Sequence, residues 1–413
     1  MSSDVVTGKA AAEKPEQRTG IAARAVICAF AAMGLLSTNI FLPSLPAIAV
    51  DLGVSSAAVT SSITVFLIVF AGGQLIVGPL SDRLGRKGPI VVGLCIFVLG
   101  TAWCAFAGDF LNLLVGRSVQ AAGVCAVAVL SRAIARDLFD GQALTRVMAS
   151  ITIATAAAPG FSPLLGGAID LLLGWRFAFV LVAAIAVGAG AAYVTFVGET
   201  LEVVGGPRRP LEIIRCYLGL LRDPRFSVPA RTAGLLMAGL YAVLSSAPRV
   251  LLEGFGLSPI ALGWLFAGVV FIVFGAGLLA PRLSARFGRQ AATSAGLALA
   301  AVAAVALLGL MLVGEVALGS FLMIVPVFLF GVGIASPLSS AAALSPFADR
   351  AGQAAALFGC SQMAGAACGA SLAAILSSDP VRGLTVVLAA TSVVALLLHV
   401  LSRTSRRLIG DHA

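Results

Sequence analysis

Long apolar runs alternate along this chain with short polar or Gly/Pro-rich breaks. They follow neither the two-residue alternation of a half-buried strand nor the single apolar face of a surface helix. The runs lie near 23–47, 56–80, 88–107, 110–135, 146–168 and 175–197, then 227–252, 260–281, 290–311, 317–342, 353–376 and 383–402. Each approaches the roughly 20 apolar residues that cross a bilayer as a helix. Because lipid offers the backbone no hydrogen-bond partner, helices satisfy it internally. The pattern therefore predicts an all-α membrane protein with twelve spans, six in 23–197 and six in 227–402. The only long polar stretch inside the chain, 198–226, reads as a cytoplasmic linker, and 1–22 and 403–413 read as tails. The first run, with Asn39, Pro43 and Pro46, is longer than the apolar core of a signal peptide and is expected to be a retained span.

Composition closes other routes. With 413 residues, 60% hydrophobic and 11% charged, and a mean hydropathy of +1.06, the chain is neither an ordinary soluble domain nor disordered. The net charge of +9 is scattered between apolar runs, which argues for membrane topology and against nucleic acid. With the N-terminus placed inside, 23 of the 27 Lys and Arg residues fall in inner segments. Arg176, Arg249 and Arg382 fall outside and Arg117 lies within a span, so both termini are expected in the cytoplasm, with the chain in the bacterial inner membrane. The seven cysteines show no ligand spacing, and neither a metal nor a cofactor is expected. No phosphate-binding loop is present, and His399 and His412 build no zinc or Ser–His–Asp motif. A Ser361–His399 protease dyad lacks the expected turn, so no enzyme is predicted.

The halves repeat. Leu80-Ser-Asp-Arg-Leu-Gly-Arg-Lys87 returns 203 positions later as Leu283-Ser-Ala-Arg-Phe-Gly-Arg-Gln290. Such a repeat points to a transporter with its substrate site between the halves. Gly85 allows a tight turn, Arg86 and Lys87 can meet anionic headgroups, and Asp82 is an acid at a helix end. A generic basic turn is the bland alternative. The stretch Gly78–Lys87 resembles the G-x-L-[AS]-D-[RK]-x-G-R-[RK] loop of the major facilitator superfamily. The resemblance implies two pseudo-symmetric six-helix bundles, with Asp82 and Arg83 locking onto Arg136 and Asp137 and with Gly85 and Arg86 counted among the gate residues. Ala285 replaces the acid in the second copy, so the lock should reside in the first half.

Three further stretches extend the resemblance. In Asn112–Gly123, Arg117 and Gln120 share a helix face, and a buried arginine costs several kcal/mol unless it meets water or a partner. That face is expected to line the cavity; the alternative is a structural arginine held by backbone carbonyls. Ala158–Gly167 is similar to the antiporter motif G-P-x-x-G-G, with Ser162 for its first glycine. Pro163 would bend the span, and Gly166 and Gly167 would allow close helix contact at a gate, favouring export. Ser37–Pro46 and Glu253–Pro259 are similar to the bicyclomycin, chloramphenicol and florfenicol exporters of the drug:proton antiporter group, but Asn39 stands at the position of their acid. No Asp or Glu falls inside an expected span, so either transport responds weakly to a proton gradient or protons use a peripheral carboxylate such as Asp109 or Asp137. Gln74, Tyr241, Arg249, Ser361 and Gln362 could reach the cavity or simply join helices, and Phe66, Phe70, Phe266 and Phe358 would suit an apolar pocket. The implied function is secondary active export of small neutral or anionic apolar compounds, phenicol-like antibiotics foremost, by a monomer exchanging protons. A metabolite exporter, or a degenerate transporter serving as a sensor or scaffold, are the alternatives.

Overall fold

The computed structural model describes residues 13–139, 141–201, 210–314, 316–376 and 379–410, with some helical side chains, those of Asp82 and Glu253 included, outside the description. The first half comprises α1 (Glu13–Asn39), a short turn Leu42–Ser44, α2 (Leu45–Asp51), α3 (Ser56–Leu84), α4 (Lys87–Ala105), α5 (Phe110–Leu138), α6 (Gly141–Leu173) and α7 (Arg176–Phe196). The short α8 (Pro210–Arg222) leads to the second half: α9 (Pro224–Pro248), a π-helical turn (Arg249–Gly254), α10 (Pro259–Phe287), α11 (Arg289–Val313), α12 (Leu318–Leu344), α13 (Ala351–Ile375) and α14 (Pro380–Gly410). Eleven helices are long and apolar enough among the described residues to cross a membrane. The twelfth span is α6, a 33-residue helix. The even number of spans puts the first and last helix ends on one side, called here the basic end, together with the α3–α4 loop.

The repeat extends to helix boundaries. Ser55 caps α3 by accepting from the Ala58 amide, and 203 positions on Ser258 caps α10 by accepting from that of Ala261. Gly85 and Gly288 end the same two helices at φ +80° and +83°, a conformation that disfavours any side chain.

Two boundaries differ from the sequence reading. The first span does not run unbroken to 47: α1 stops at Asn39, because Pro43 and Pro46 supply no amide for continuing the ladder. In the other direction α6 continues to Leu173, with no breaker before Gly174 at φ +86°. The expectation that no carboxylate lies within a spanning helix is thereby corrected, because α6 carries Asp170, half-buried and facing Ser44.

The halves meet along two seams. In one, α3 runs beside α13, with Gly78 against Ala356 towards the basic end and the Thr64 and Ser371 hydroxyls 2.9 Å apart towards the far end. In the other, α6 runs beside α10, where Phe161 and Phe271 meet edge to face. The turn after α1 reaches α9 and α10, and residues 37–45 are all buried, which seals the far end. At the basic end α8 touches both halves: Tyr217 donates to the Leu75 carbonyl of α3, and Cys216 to the Gln353 amide oxygen of α13.

Candidate functional site

Arg117 begins its third turn into α5, fully buried. Its Nη1 donates to the Ser37 carbonyl (3.0 Å) and to Oε1 of Gln120 one turn on (2.5 Å), and Gln120 in turn donates to Thr101 of α4 (2.9 Å). The guanidinium carbon lies 4.3 Å from the Phe41 ring centre and 4.2 Å from that of Phe66, a cation–π sandwich. One nitrogen is thus held, while Nε and Nη2 are buried with no hydrogen-bond partner among the described residues.

Across the junction of the halves stands Tyr241 of α9, also buried and within Coulombic reach of Arg117. Its hydroxyl lies beside Asn39, and among the described residues neither it nor Asn39 Oδ1 has a partner at full hydrogen-bond geometry, while Asn39 Nδ2 donates to the Leu35 carbonyl (2.7 Å). Four buried polar atoms from α1, α5 and α9 are therefore left with bonding capacity around one point. Buried groups of this kind ordinarily cost 1–3 kcal/mol each unless something binds them.

The other expected cavity residues are more dispersed. Gln74 is buried on α3, its amide oxygen packed onto Gly359 of α13. Arg249 is half-buried in the π turn, and Ser361 and Gln362 are half-buried on α13; among the described residues none of them bonds Arg117.

The basic end holds a second constellation. Arg86 folds under the end of α5, its Nε 3.0 Å from Asp137 Oδ2 and its Nη1 donating to Ser81 (2.7 Å). Glu199, just past α7, accepts the backbone amides of Arg86 (2.8 Å) and Lys87 (3.0 Å), capping α4. Gly85 makes room for this, since a Cβ there would lie 2.6 Å from the Glu199 carboxylate. Partial burial opposes the Glu199 charge, but the amides of Arg86, Leu201, Lys87 and Thr200 outweigh it and hold the carboxyl below the usual range. Arg86, one turn beyond the expected Arg83, is thus the arginine that meets Asp137; Arg83 is half-buried and Arg136 exposed. The Asp82 side chain lies outside the described residues.

In α6, Pro163 and Gly166 are buried and Gly167 half-buried. Gly166 packs directly on the Ile40 carbonyl, leaving no room for a Cβ, whereas a Cβ at Gly167 would make an ordinary 3.6 Å contact with Pro43. Asp109 caps α5 through the Asn112 backbone (2.8 Å) and side-chain (2.6 Å) amides, which hold its carboxyl low.

Phe41, Thr101 and Glu199 were not singled out by the sequence reading. Glu199 had a signal: it is the first charge after the sixth apolar run.

Comparison with known proteins places this geometry. The profile of the Major Facilitator Superfamily matches residues 26–345. The MFS-type transporter YdgK of Bacillus subtilis is 31% identical over 80% of this chain and 82% of its own length. Multidrug resistance protein D of Escherichia coli is 28% identical over 84% of this chain and 86% of its own. The crystal structure of the human organic anion transporter MFSD10 (TETRAN) superposes with a TM-score of 0.66 at 19% identity, covering 93% of this chain and 99% of that one, a likeness of fold. With a profile match across most of both six-helix halves, the chain belongs to the Major Facilitator Superfamily.

Proposed function

We propose that this protein is a secondary active exporter of small, moderately apolar, neutral or anionic compounds, phenicol-like antibiotics among them, in a bacterial inner membrane. The observation that carries the reading is the Arg117 cluster, where the guanidinium lies between two aromatic rings and two of its donors, the Asn39 oxygen and the Tyr241 hydroxyl lack partners among the described residues. Such a site offers hydrogen bonds and an apolar wall to a guest. It repels an organic cation, which would meet a like charge and, among the described residues, no carboxylate paired with Arg117. Similarity to multidrug resistance protein D supports export of drugs. The bodies 23–197 and 227–402 rock about the shared site, and the Arg86–Asp137 pair with the Glu199 cap biases which end opens. The excess of basic residues supports a cytoplasmic basic end, including the 198–226 linker.

The test is accumulation of labelled chloramphenicol, of an anionic drug and of a cationic dye in cells with and without the protein. Lower accumulation of the first two is expected, and export of the cation alone would overturn the reading. Reporter fusions after Gly206 and Arg407 should both register in the cytoplasm.

A further inference from the structure

The repeat invites comparison of the basic ends of the two halves. At a step of 203 positions Arg86 corresponds to Arg289 and Lys87 to Gln290, while Asp82, Asp137 and Glu199 correspond to Ala285, Ser340 and Ser402. The second half keeps the arginine and loses all three carboxylates. In the first half Arg86 is buried against Asp137, and the Glu199 carboxylate takes the first amides of α4. In the second half Arg289 is exposed, no carboxylate pairs with it among the described residues, and no side chain caps the start of α11.

A cavity of about 140 Å³ lies at this place, between the basic ends of α9, α11, α12 and α14. Arg225, Arg289, Gln290, His399, Ser339 and Ser402 are in its wall, and among the described residues no acidic side chain lines it. Arg225 pairs with Asp223, with Nη2 2.9 Å from Oδ2. The space is several times what one water needs. A guanidinium, a second one held nearby and an uncapped helix start together form the donor set that recognises tetrahedral oxyanions.

We propose that this cavity binds a phosphate-type anion, whose oxygens serve Arg289 and the first amides of α11 as Asp137 and Glu199 serve the first half. The anion is inorganic phosphate from solution or the phosphate of an anionic phospholipid, since the cavity sits at helix ends where headgroups lie. The full chain, purified and reconstituted in phosphatidylcholine nanodiscs, is titrated with inorganic phosphate and, separately, prepared with phosphatidylglycerol in the bilayer, with thermal unfolding and native mass spectrometry as readouts. Stabilisation by either is expected: a response to phosphate alone assigns the soluble source, and retained phosphatidylglycerol displaced by phosphate assigns the lipid. Arg225→Ala/Arg289→Ala should weaken binding at least tenfold. Ser402→Glu, which restores the missing carboxylate, should fold normally and become insensitive to both anions, an arm that decides the matter even if the double variant folds poorly. No stabilisation of the parent by either anion, or equal binding by parent and Ser402→Glu, would overturn the proposal.

Discussion

A buried arginine is tolerable only where its donors are used, and Arg117 uses one nitrogen fully while the aromatic faces of Phe41 and Phe66 shelter the rest. Arg117→Ala should abolish transport. Arg117→Lys should retain on the order of a tenth, because a point charge replaces the fork and one charge-assisted bond is worth about 1.5–3 kcal/mol. Gln120→Leu should act in the same direction but more weakly, by freeing the guanidinium to rotate; uptake into inverted vesicles measures all three, and parental activity in Arg117→Lys would remove the residue from the site. The pairing of Arg117 with Gln120 was legible from three-residue spacing on one helix. The sandwich was not, because Phe41 and Phe66 come from other segments, and helices apolar nearly all round carry little information about which face turns inward. The loop motif names a cluster of charges, Arg83 and Arg86 among them, and the reversal at Gly85 is what folds Arg86 back to α5.

Among the elements, α6 and the α3–α4 turn carry the sharpest constraints. Gly166 lets α6 touch the chain just after α1, so Gly166→Ala must push the helix off the Ile40 carbonyl, at a cost of about 1–3 kcal/mol for overpacking, whereas Gly167→Ala should be nearly neutral. Expression level and thermal unfolding in detergent separate the two, and equal behaviour would show that the seam adapts. Glu199 caps α4 as a charged acceptor with its carboxyl held low, so its stabilisation is complete above the ordinary carboxyl range and is lost as pH falls through its lowered value. Glu199→Gln should therefore unfold at lower temperature than the parent near pH 7, by less than about 1 kcal/mol for so exposed a group, and the gap should close as the pH falls below the lowered value of the Glu199 carboxyl. A gap that persists in acid would mean the charge is not what matters. The twelve spans were legible because a bilayer demands long apolar runs, and the paired loops because both end at a glycine. The break after α1 and the extension of α6 were not placed correctly, since hydropathy averages over a window while a proline or glycine acts at one residue.

At the scale of the whole molecule the open question is what drives the cycle. Asn39 sits buried beside Tyr241, and its amide cannot release a proton. Among the described carboxylates, Asp109 is exposed with its carboxyl held low by its cap and Asp137 pairs with Arg86; Asp137 released during opening and Asp170, half-buried in α6 opposite Ser44, are two groups a proton could visit. Neither touches the Arg117 cluster through a described hydrogen bond, so coupling between proton and substrate has to pass through movement of the halves, and a ligand shifts such an equilibrium only by its difference in affinity for the two states. Transport in proteoliposomes should therefore respond weakly to an imposed pH gradient, and Asp137→Asn or Asp170→Asn should remove what response there is. Asn39→Asp should steepen the response, because an acid placed beside Arg117 and Tyr241 would change its own proton occupancy as the site opens and closes. If the parent instead shows strong gradient-driven flux that survives neutralising Asp109, Asp137 and Asp170 one at a time, the protons travel by a route that none of these carboxylates supplies, and Asn39 is no measure of coupling in this chain.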